Sequence, residues 1–207
     1  KAGIAKVVYS SSAAIYGETQ HLPIDEDHPL RPETPYGASK LGGEGQCLCY
    51  GRLYAMDIVC LRYFNVYGPN QRYDAYGNVI PIFADRLVHG EPLIIYGDGE
   101  QTRDFVHVRD VAKANLLGLR VQGVTGAFNV GSGQATTINE LAFLMNQAAD
   151  AAVPPQYQAP RPGDVLHSLS DITAARDTLG YEPAVTLAEG LREYMTWAKA
   201  AGQGAKA

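Results

Sequence analysis

Two short apolar segments flank a long helical pattern, and their order constrains the fold of this chain more than any other feature. Residues 5–10 and 57–62 have the character of buried strands, while the pattern over residues 36–55 is helical. Strand, helix and strand in this order form a βαβ crossover, whose two strands are parallel. We therefore expect an α/β fold with a ligand crevice at the carboxyl ends of the strands, near residues 10–12 and 62–65.

The rest of the chain continues the alternation of strands and helices. Strands are predicted at 93–96 and 127–130, and helices at 80–88, 108–119, 137–149 and 186–200. Thr137 with Glu140, and Thr186 with Glu189, have the spacing of a capping box at a helix start. Residues 65–70 are rich in turn-forming residues and predict a turn.

Composition excludes several classes of function. The 207 residues carry a formal net charge of -5, which argues against nucleic acid as a general partner. No run of 18 apolar residues occurs, so we expect no transmembrane helix and no membrane partner. The apolar stretch near the start resembles a strand rather than a signal peptide, and three cysteines are few and odd in number. These features predict a cytoplasmic protein.

No metal site is predicted. Cys47 and Cys49 are two residues apart in a helical pattern, so their side chains point to different sides. No second ligand pair with suitable spacing follows, and the five histidines are scattered. We interpret the thiols as buried or half-buried.

Tyr36 and Lys40 are the leading candidates for chemistry. A phenol ordinarily keeps its proton up to a pH of about 10. A lysine four residues later lies on the same helix face, so its ammonium can stabilise the phenolate. Ser12, at the end of a predicted strand, could orient a substrate alcohol beside the phenol. By itself the spacing is also that of an ordinary surface helix, but the convergence on one sheet edge favours a base that deprotonates a sugar or alcohol.

Five motifs in order resemble those of the extended short-chain dehydrogenase/reductase family. They are Ser10-Ser-Ser-Ala-Ala-Ile-Tyr-Gly17, Pro35-Tyr-Gly-Ala-Ser-Lys40, Leu61-Arg-Tyr-Phe-Asn-Val-Tyr-Gly-Pro69, Tyr96-Gly-Asp-Gly99 with Thr102-Arg-Asp-Phe-Val-His107, and Arg161-Pro-Gly-Asp164. Within that family the chain is most similar to nucleotide-sugar 4-epimerases such as UDP-glucose 4-epimerase. The motifs extend over nearly the whole chain.

The resemblance implies a divided fold. It implies the C-terminal portion of a Rossmann-type doubly wound parallel sheet plus a smaller α/β substrate-binding domain. Residues 1–64 would be the remaining part of the dinucleotide-binding domain, to which 104–131 return, and 65–207 would bind the nucleotide-sugar. The family binds NAD through a Gly-x-x-Gly-x-x-Gly turn, which is absent from these residues. We therefore expect a fragment that lacks the first mononucleotide-binding half.

The same resemblance implies the roles of the active-site residues. Tyr36 would take the proton from the sugar 4-hydroxyl while a hydride passes to NAD, and hydride return to the opposite face of the 4-keto sugar would invert C4. Ser12 would hydrogen-bond the same hydroxyl. Ser10, Tyr36 and Lys40 would contact the cofactor.

Substrate contacts are also implied by matching positions. Arg103 and Arg161 match arginines that bind the diphosphate, a role that suits the bidentate guanidinium. Ion pairs with Asp104 or Asp164 are the alternative. Asn65 matches a residue that bonds the nucleotide-sugar, and Asp164 matches one near its ribose. Ser168 stands where a bulky residue restricts the sugar pocket, so N-acetylated sugars are expected to fit. Phe64 and Tyr67 are expected to pack in the core.

Two alanines select among the reactions of the family. The related 4,6-dehydratases carry Asp-Glu after the serine, whereas this chain has Ala13 and Ala14, which provide neither an acid nor a base. Epimerisation is therefore favoured. Two alternatives stay open: a nucleotide-sugar-binding module or inactive remnant without NAD binding, and a reductase or dehydrogenase of the same family. We expect a homodimer through the helix after Tyr36, or association through an exposed sheet edge.

Overall fold

The core of the fold is a three-stranded parallel sheet. The computed structural model describes residues 3–71, 78–161 and 165–204. Strand β2 (Asp57–Tyr63) lies between β1 (Lys6–Ser12) and β7 (Gly126–Val130). Ser12 pairs with Tyr63, which pairs with Val130, so all three strands end at the same edge. The predicted parallel crossover is confirmed.

Two helices cover opposite faces of this sheet. Helix α1 (Pro35–Tyr54) approaches Tyr9 at Gly43 and Ile58 at Gly51, whereas Gly118 of α3 (Val108–Arg120) approaches Val8 and Val59. Neighbouring residues of a strand point to opposite faces, so the two helices lie on opposite sides. This is the doubly wound arrangement that the fold class predicts.

Within the described residues, smaller strand pairs, four further α-helices and a 3-10 helix (Ala13–Ile15) complete the fold. β3 (Asn65–Tyr67) pairs in parallel with β6 (Phe105–His107), and β4 (Ile94–Tyr96) with β9 (Gln156–Gln158). β5 (Thr102–Arg103) and β8 (Thr136–Thr137) are antiparallel. The remaining helices are α2 (Val79–Val88), α4 (Ile138–Ala149), α5 (Thr173–Leu179) and α6 (Leu187–Gly204).

Apolar burial is divided between the sheet and the later helices. Leu61, Ala114 and Val130 belong to a core between one face of the sheet and the helices α3 and α5. Phe83 and Leu141 belong to a larger core that joins α2, α4 and α6. Phe64 and Tyr67 are buried, as their packing interpretation requires. The proposed domain boundaries stay a prediction, although β7 joins the sheet of the first 64 residues.

Local sequence signals set the helix ends as predicted. Thr137 Oγ1 accepts from the backbone N–H of Glu140 at 3.0 Å. Thr186 and Glu189 bond each other reciprocally, which is a complete capping box. At the start of α1, Thr34 Oγ1 accepts from Gly37 N at 3.0 Å and Pro35 occupies the first turn.

Three expectations are wrong. The turn predicted over 65–70 is confined to residues 69–70, and residues 65–67 form strand β3 instead, because the buried β6 offers them a parallel partner. The first strand continues to Ser12 rather than ending at Ser10. Cys49 is exposed, because it lies on the side of α1 that faces away from the sheet, whereas Cys60 is buried and Cys47 half-buried.

Within the described ranges, no helix is both long enough and apolar enough to cross a membrane.

Candidate active site

A cleft of about 720 Å³ opens at the carboxyl ends of β1 and β2. Five of the predicted site residues line it, and these are Ser12, Tyr36, Asn65, Arg103 and Ser168. Ala13 and Ala14 line it as well. The sheet edge therefore brings the candidate base together with most of the candidate substrate contacts.

Tyr36 and Ser12 reach the cleft from different elements. Tyr36 lies in the first turn of α1 with 56% of its surface exposed. Ser12 ends β1, and its Oγ accepts from the backbone N–H of Ala14 at 3.2 Å. That bond uses an acceptor site of the hydroxyl and leaves its proton available to a ligand. The arrangement can hold an alcohol between a phenol and a hydroxyl.

Gly37 allows the first turn of α1 to lie against the segment that follows Ser12. A Cβ at this position would stand 2.4 Å from the carbonyl oxygen of Ala14 and 3.0 Å from Pro32 Cβ. The first contact is shorter than real Cβ atoms show and is made with the backbone, while the second is tight, so any larger residue would push the helix start away. Gly37 therefore sets the separation of Tyr36 from Ser12.

Lys40 is anchored one helical turn after Tyr36. Its Nζ donates to the carbonyl oxygen of Ser10 at 3.0 Å. The same nitrogen lies 5.7 Å from the centroid of the Tyr36 ring and 5.7 Å from that of Tyr9. This is within reach of a cation–π interaction. The ammonium is thus held beside the phenol by a backbone atom of β1.

Tyr63 was not singled out in the sequence, although it ends β2 and lines the cleft. Its hydroxyl lies 3.0 Å from Ser10 Oγ, and Asn115 Nδ2 donates to it at 2.8 Å. A hydroxyl network therefore connects the end of β1 with α3. Its position in the sequence, at the end of a predicted strand, was a usable signal.

The predicted substrate contacts are only partly assembled. Arg103 lines the cleft and donates to the carbonyl oxygen of Thr102 at 2.9 Å. Asn65 Nδ2 donates to the carbonyl oxygen of Asp104 at 3.1 Å, and the backbone N–H of Ser168 donates to that of Thr102 at 3.1 Å. Both residues face the cleft. This wall carries a guanidinium, an amide and a small hydroxyl.

The second arginine lies elsewhere in the fold. The guanidinium carbon of Arg161 is 3.8 Å from the centroid of the Tyr96 ring, a stacked cation–π contact. Arg161 does not belong to the described lining of the cleft. Asp164 lies outside the described residues. Asp104 was the other acidic residue considered as an ion-pair partner of these arginines. Its buried carboxylate accepts hydrogen bonds from Ser132, Gly133 and Ser170.

A buried polar network beneath the cleft was missed by the sequence analysis. Glu44, on α1, bonds Arg62 of β2 at 2.6 Å and Ser11 of β1 at 2.6 Å. Arg62 Nη1 also donates to the hydroxyl of Tyr16 at 3.0 Å. That hydroxyl donates to Asn129 Oδ1 at 2.6 Å. The spacing of Tyr36, Lys40 and Glu44, four residues each, was the signal that could have found it.

Burial and charge fix the protonation states of two members of this network, Tyr16 and Arg62. Burial raises the pKa of Tyr16 to about 12, although the charge of Arg62 opposes the shift. Burial alone would lower the pKa of Arg62, but its hydrogen bonds to the carboxylate of Glu44, and the charges of Tyr16 and Glu44 nearby, outweigh burial and raise that pKa. Tyr16 therefore stays neutral and Arg62 charged near neutral pH.

The residues present fit one part of a dinucleotide. Ser10, Tyr36 and Lys40 offer two hydroxyls and an ammonium around the end of β1, which suit the hydroxyls of a ribose. The glycine-rich turn that would seat the pyrophosphate is absent from the 207 residues. Among the residues that the structure describes, no group of three metal-ligating side chains occurs.

Known proteins are similar to this chain in sequence and in fold. Residues 1–131 match the model of the NAD dependent epimerase/dehydratase family. A putative UDP-glucose 4-epimerase of Methanocaldococcus jannaschii is 42% identical over 96% of this chain and 65% of its own. A UDP-glucose 4-epimerase of Thermotoga maritima, solved with UDP-glucose, has a TM-score of 0.90 at 39% identity, covering 96% of this chain and 65% of its own.

Another solved structure widens the comparison. It is a UDP-N-acetylglucosamine 4-epimerase of Methanobrevibacter ruminantium in complex with UDP-N-acetylmuramic acid, with a TM-score of 0.89 and 40% identity over 94% of this chain and 63% of its own. The chain therefore spans about 63% to 65% of the length of these relatives.

Gly37→Ala tests the close approach of α1 to the segment after Ser12. We expect a loss of about 1–3 kcal/mol in the free energy of unfolding, because the new methyl group meets Ala14 and Pro32. Gly42→Ala is the matched control, since nothing lies within 4 Å of its Cβ in the same helix. That control should gain about 0.5–1 kcal/mol. Urea denaturation measures both, and equal stability of the two variants would contradict the packing argument.

Proposed function

The chain belongs to the NAD dependent epimerase/dehydratase family, and we propose that it supplies the proton-transfer and substrate-binding part of an NAD-dependent 4-epimerase. The substrate is a nucleotide-diphosphate sugar. One observation carries the proposal: Tyr36 and Ser12 face the same cleft while Lys40 is held beside the Tyr36 ring. The epimerase names of the similar proteins support it.

Tyr36 acts as the general base in this proposal. Its phenolate takes the proton of the sugar 4-hydroxyl. The hydroxyl of Ser12 forms a hydrogen bond with the same sugar oxygen. Lys40 stabilises the negative charge on the phenolate, at the distance that its bond to Ser10 sets. When bound, NAD would supply the hydride acceptor, and Ser10, Tyr36 and Lys40 would hold part of it. As the hydride returns to the opposite face of the 4-keto sugar, Tyr36 gives the proton back to the C4 oxygen, which leaves C4 inverted.

Ala13 and Ala14 support epimerisation over loss of water. Both line the cleft directly after Ser12. A methyl group neither donates nor accepts a proton, so no acid or base stands at these positions to expel a hydroxyl from the sugar. Epimerisation returns the hydride to the sugar, so no net NADH accumulates, which separates it from the reductase or dehydrogenase alternative.

The substrate contacts follow the wall of the cleft. Arg103 would bind the diphosphate, and Asn65 would donate to the nucleotide-sugar. Arg161 and Asp164 are assigned to the diphosphate and the ribose on their motif alone. We assign residues 1–64 and 104–131 to the cofactor-binding half. The rest of 65–207 is assigned to the half that binds the nucleotide-sugar.

A homodimer through α1 is part of the proposal. Large side chains on the outer part of this helix are exposed, including Tyr50, Leu53 and Tyr54. An apolar patch of this kind is a common dimer surface. The edge of β1 is a second surface through which chains could associate, because β1 pairs with β2 on one side within the described chain.

Binding without catalysis is the second candidate function. The absence of the glycine-rich turn favours it for the 207 residues alone, since the cleft persists while the pyrophosphate seat is missing. In that case the chain would bind a nucleotide-sugar and bind NAD weakly.

Tyr36→Phe tests the base in a version of the protein extended by the residues that its relatives possess. We expect kcat for interconversion of UDP-glucose and UDP-galactose to fall about 10²–10⁴-fold with little change in KM, because general-base catalysis is lost while binding remains. Tyr50→Phe is the control, since Tyr50 lies on the same helix with the same 56% exposure. Full activity of Tyr36→Phe would exclude the proposed mechanism.

Ser168→Tyr tests the breadth of the sugar pocket in the same extended protein. The small Ser168 lines the cleft, so we expect turnover of UDP-N-acetylglucosamine alongside UDP-glucose. A tyrosine at this position should abolish the former and spare the latter, while Ser168→Ala should spare both. Coupled assays with the two substrates measure the ratio of kcat/KM. Failure of the unsubstituted protein to use UDP-N-acetylglucosamine, with good turnover of UDP-glucose, would refute the assignment.

Calorimetry on the 207 residues alone separates binding from catalysis. We expect heat on titration with UDP-glucose and no saturable heat with NAD at micromolar concentrations, because the pyrophosphate turn is absent. UDP without a sugar serves as the control for binding at the diphosphate. A micromolar dissociation constant for NAD would show that the turn is dispensable.

A further inference from the structure

Glu44 is a charged residue buried beneath the cleft, with 1% of its surface exposed. One carboxylate oxygen, Oε1, accepts from Arg62 Nη2 at 2.6 Å, and the other, Oε2, accepts from Ser11 Oγ at 2.6 Å. Arg62 Nε lies 3.2 Å from each oxygen. The carboxylate is thus fully engaged by one residue of β1 and one residue of β2.

These two partners are themselves paired across the sheet. Ser11 stands opposite Arg62 in the register of β1 and β2, and Ser11 directly precedes Ser12 in the chain. Glu44 therefore fastens α1 to both strands at a point adjacent to the candidate site. A carboxylate one residue earlier or later on the helix would face a different direction, so the bonds specify the rotation of α1 as well as its position.

Three successive turns of α1 are fixed against the end of β1. Gly37 lies against the carbonyl oxygen of Ala14, Lys40 donates to that of Ser10, and Glu44 accepts from Ser11. Only the third contact involves a buried charge pair. The contacts of Gly37 and Lys40 lie in the two turns before Glu44, and these turns carry Tyr36 and Lys40. A shift of the helix at Glu44 would therefore move both candidate catalytic side chains.

The far side of Arg62 connects the same pair to the cleft wall. Arg62 Nη1 donates to the Tyr16 hydroxyl and to the carbonyl oxygen of Glu26, both at 3.0 Å. Tyr16 lines the cleft, and its hydroxyl donates a hydrogen bond to Asn129 Oδ1. Asn129 Nδ2 in turn donates to the carbonyl oxygens of Ile24 and Asp171. One network thereby joins the helix of Tyr36 to the loops that face it.

We propose that Glu44 is a positioning residue that, through Ser11 and Arg62, holds Tyr36 and Lys40 in register with Ser12. The role of Glu44 in catalysis rests on the proposed function, whereas its role in holding α1 in place does not. A buried ion pair is an expensive way to stabilise a helix, because apolar residues of similar volume often do as well or better. Fixing a register is the better attested role of such a pair, and here the register is that of the candidate site.

The experiment measures the reactivity of Tyr36 in the 207-residue chain, without substrate or cofactor. N-acetylimidazole acylates tyrosine phenolates, and mass spectrometry of peptides gives the rate at Tyr36 relative to Tyr50 in the same sample. The sample is diluted until sedimentation shows a monomer, because the proposed dimer surface includes Tyr50. In the monomer Tyr50 has the same exposure on the same helix, so it reports the helix rather than the site. We expect Ser11→Ala, which removes the bond to β1 and keeps the ion pair, to lower the Tyr36-to-Tyr50 ratio at pH 8 at least threefold.

A control separates positioning from general destabilisation. Leu141→Ala removes core packing among α2, α4 and α6, away from the cleft, and should lower stability without changing the ratio. Urea denaturation places the variants on one stability scale. A ratio that falls in Leu141→Ala as it does in Ser11→Ala would overturn the proposal, since Ser11 would then act only through stability.

Loss of the charge itself is tested with a pair of substitutions. Glu44→Gln leaves Arg62 buried without a counter-charge and risks misfolding. Glu44→Leu combined with Arg62→Met removes both charges and keeps the chain testable. We expect this double variant to fold and to show the lowered ratio, and Ser11→Ala added to it to have no further effect. A folded double variant with an unchanged ratio would overturn the proposal.

Activity gives a second readout in the extended protein. Ser11→Ala should lower kcat about 10- to 100-fold with KM unchanged, because misplacement of the base costs chemistry rather than binding. If the extended protein shows no epimerase activity at all, the proposed function fails while the Tyr36 reactivity still decides the role of Glu44. If activity is present and kcat of Ser11→Ala is unaltered, the positioning role fails while the proposed function stands.

Discussion

The parallel pairing of β1 with β2 determines where chemistry can occur in this fold. Ser12 stands opposite Tyr63 and Tyr63 opposite Val130, so the segments that follow the three strands leave the sheet at one edge. Two of these segments build the cleft, with Ala13 and Ala14 on one side and Phe64 and Asn65 on the other. A slip of one residue in β1 would put Ser10 or Ser12 in the place of Ser11 and would turn the hydroxyl of Ser12 away from the cleft.

The buried pair of Glu44 and Arg62 follows from that register and also limits it. Their charges are tolerable because every strong donor and acceptor near them is matched: the carboxylate accepts from Ser11 and Arg62, and the guanidinium also donates to Tyr16 and Glu26. Leaving one partner of such a pair unmatched costs about 3–5 kcal/mol, a large part of the 5–15 kcal/mol that typically stabilises a whole domain. Any alternative placement of α1 on the sheet would carry that cost. The pair therefore excludes wrong registers more than it stabilises the right one.

The sequence predicted what depends on local pattern and missed what depends on distant partners. The long helices, the strands around β2 and the Tyr36–Lys40 pair follow from periodicity within one element. β5 and β8 have two residues each and exist only because they pair with each other, and the three residues of β9 are all exposed and show no apolar alternation. Helix α5 is too short for a periodic signal. Glu44 was visible as a carboxylate on the face of Tyr36 and Lys40, but its partners lie 18 and 33 positions away and become neighbours only in the folded sheet.

The two halves of the proposed reaction depend on different parts of the chain. Proton transfer needs Tyr36, Lys40 and Ser12 in fixed relation, and backbone atoms of Ala14 and Ser10 together with the Glu44 pair supply that relation from within α1, β1 and β2. Hydride transfer needs a dinucleotide whose pyrophosphate is seated on a glycine-rich turn, which these residues do not contain. Preorganisation of the base is therefore separable from cofactor binding in this fold. It follows that the geometry of the proton-transfer site can be altered and measured by itself, as a property of one βαβ unit.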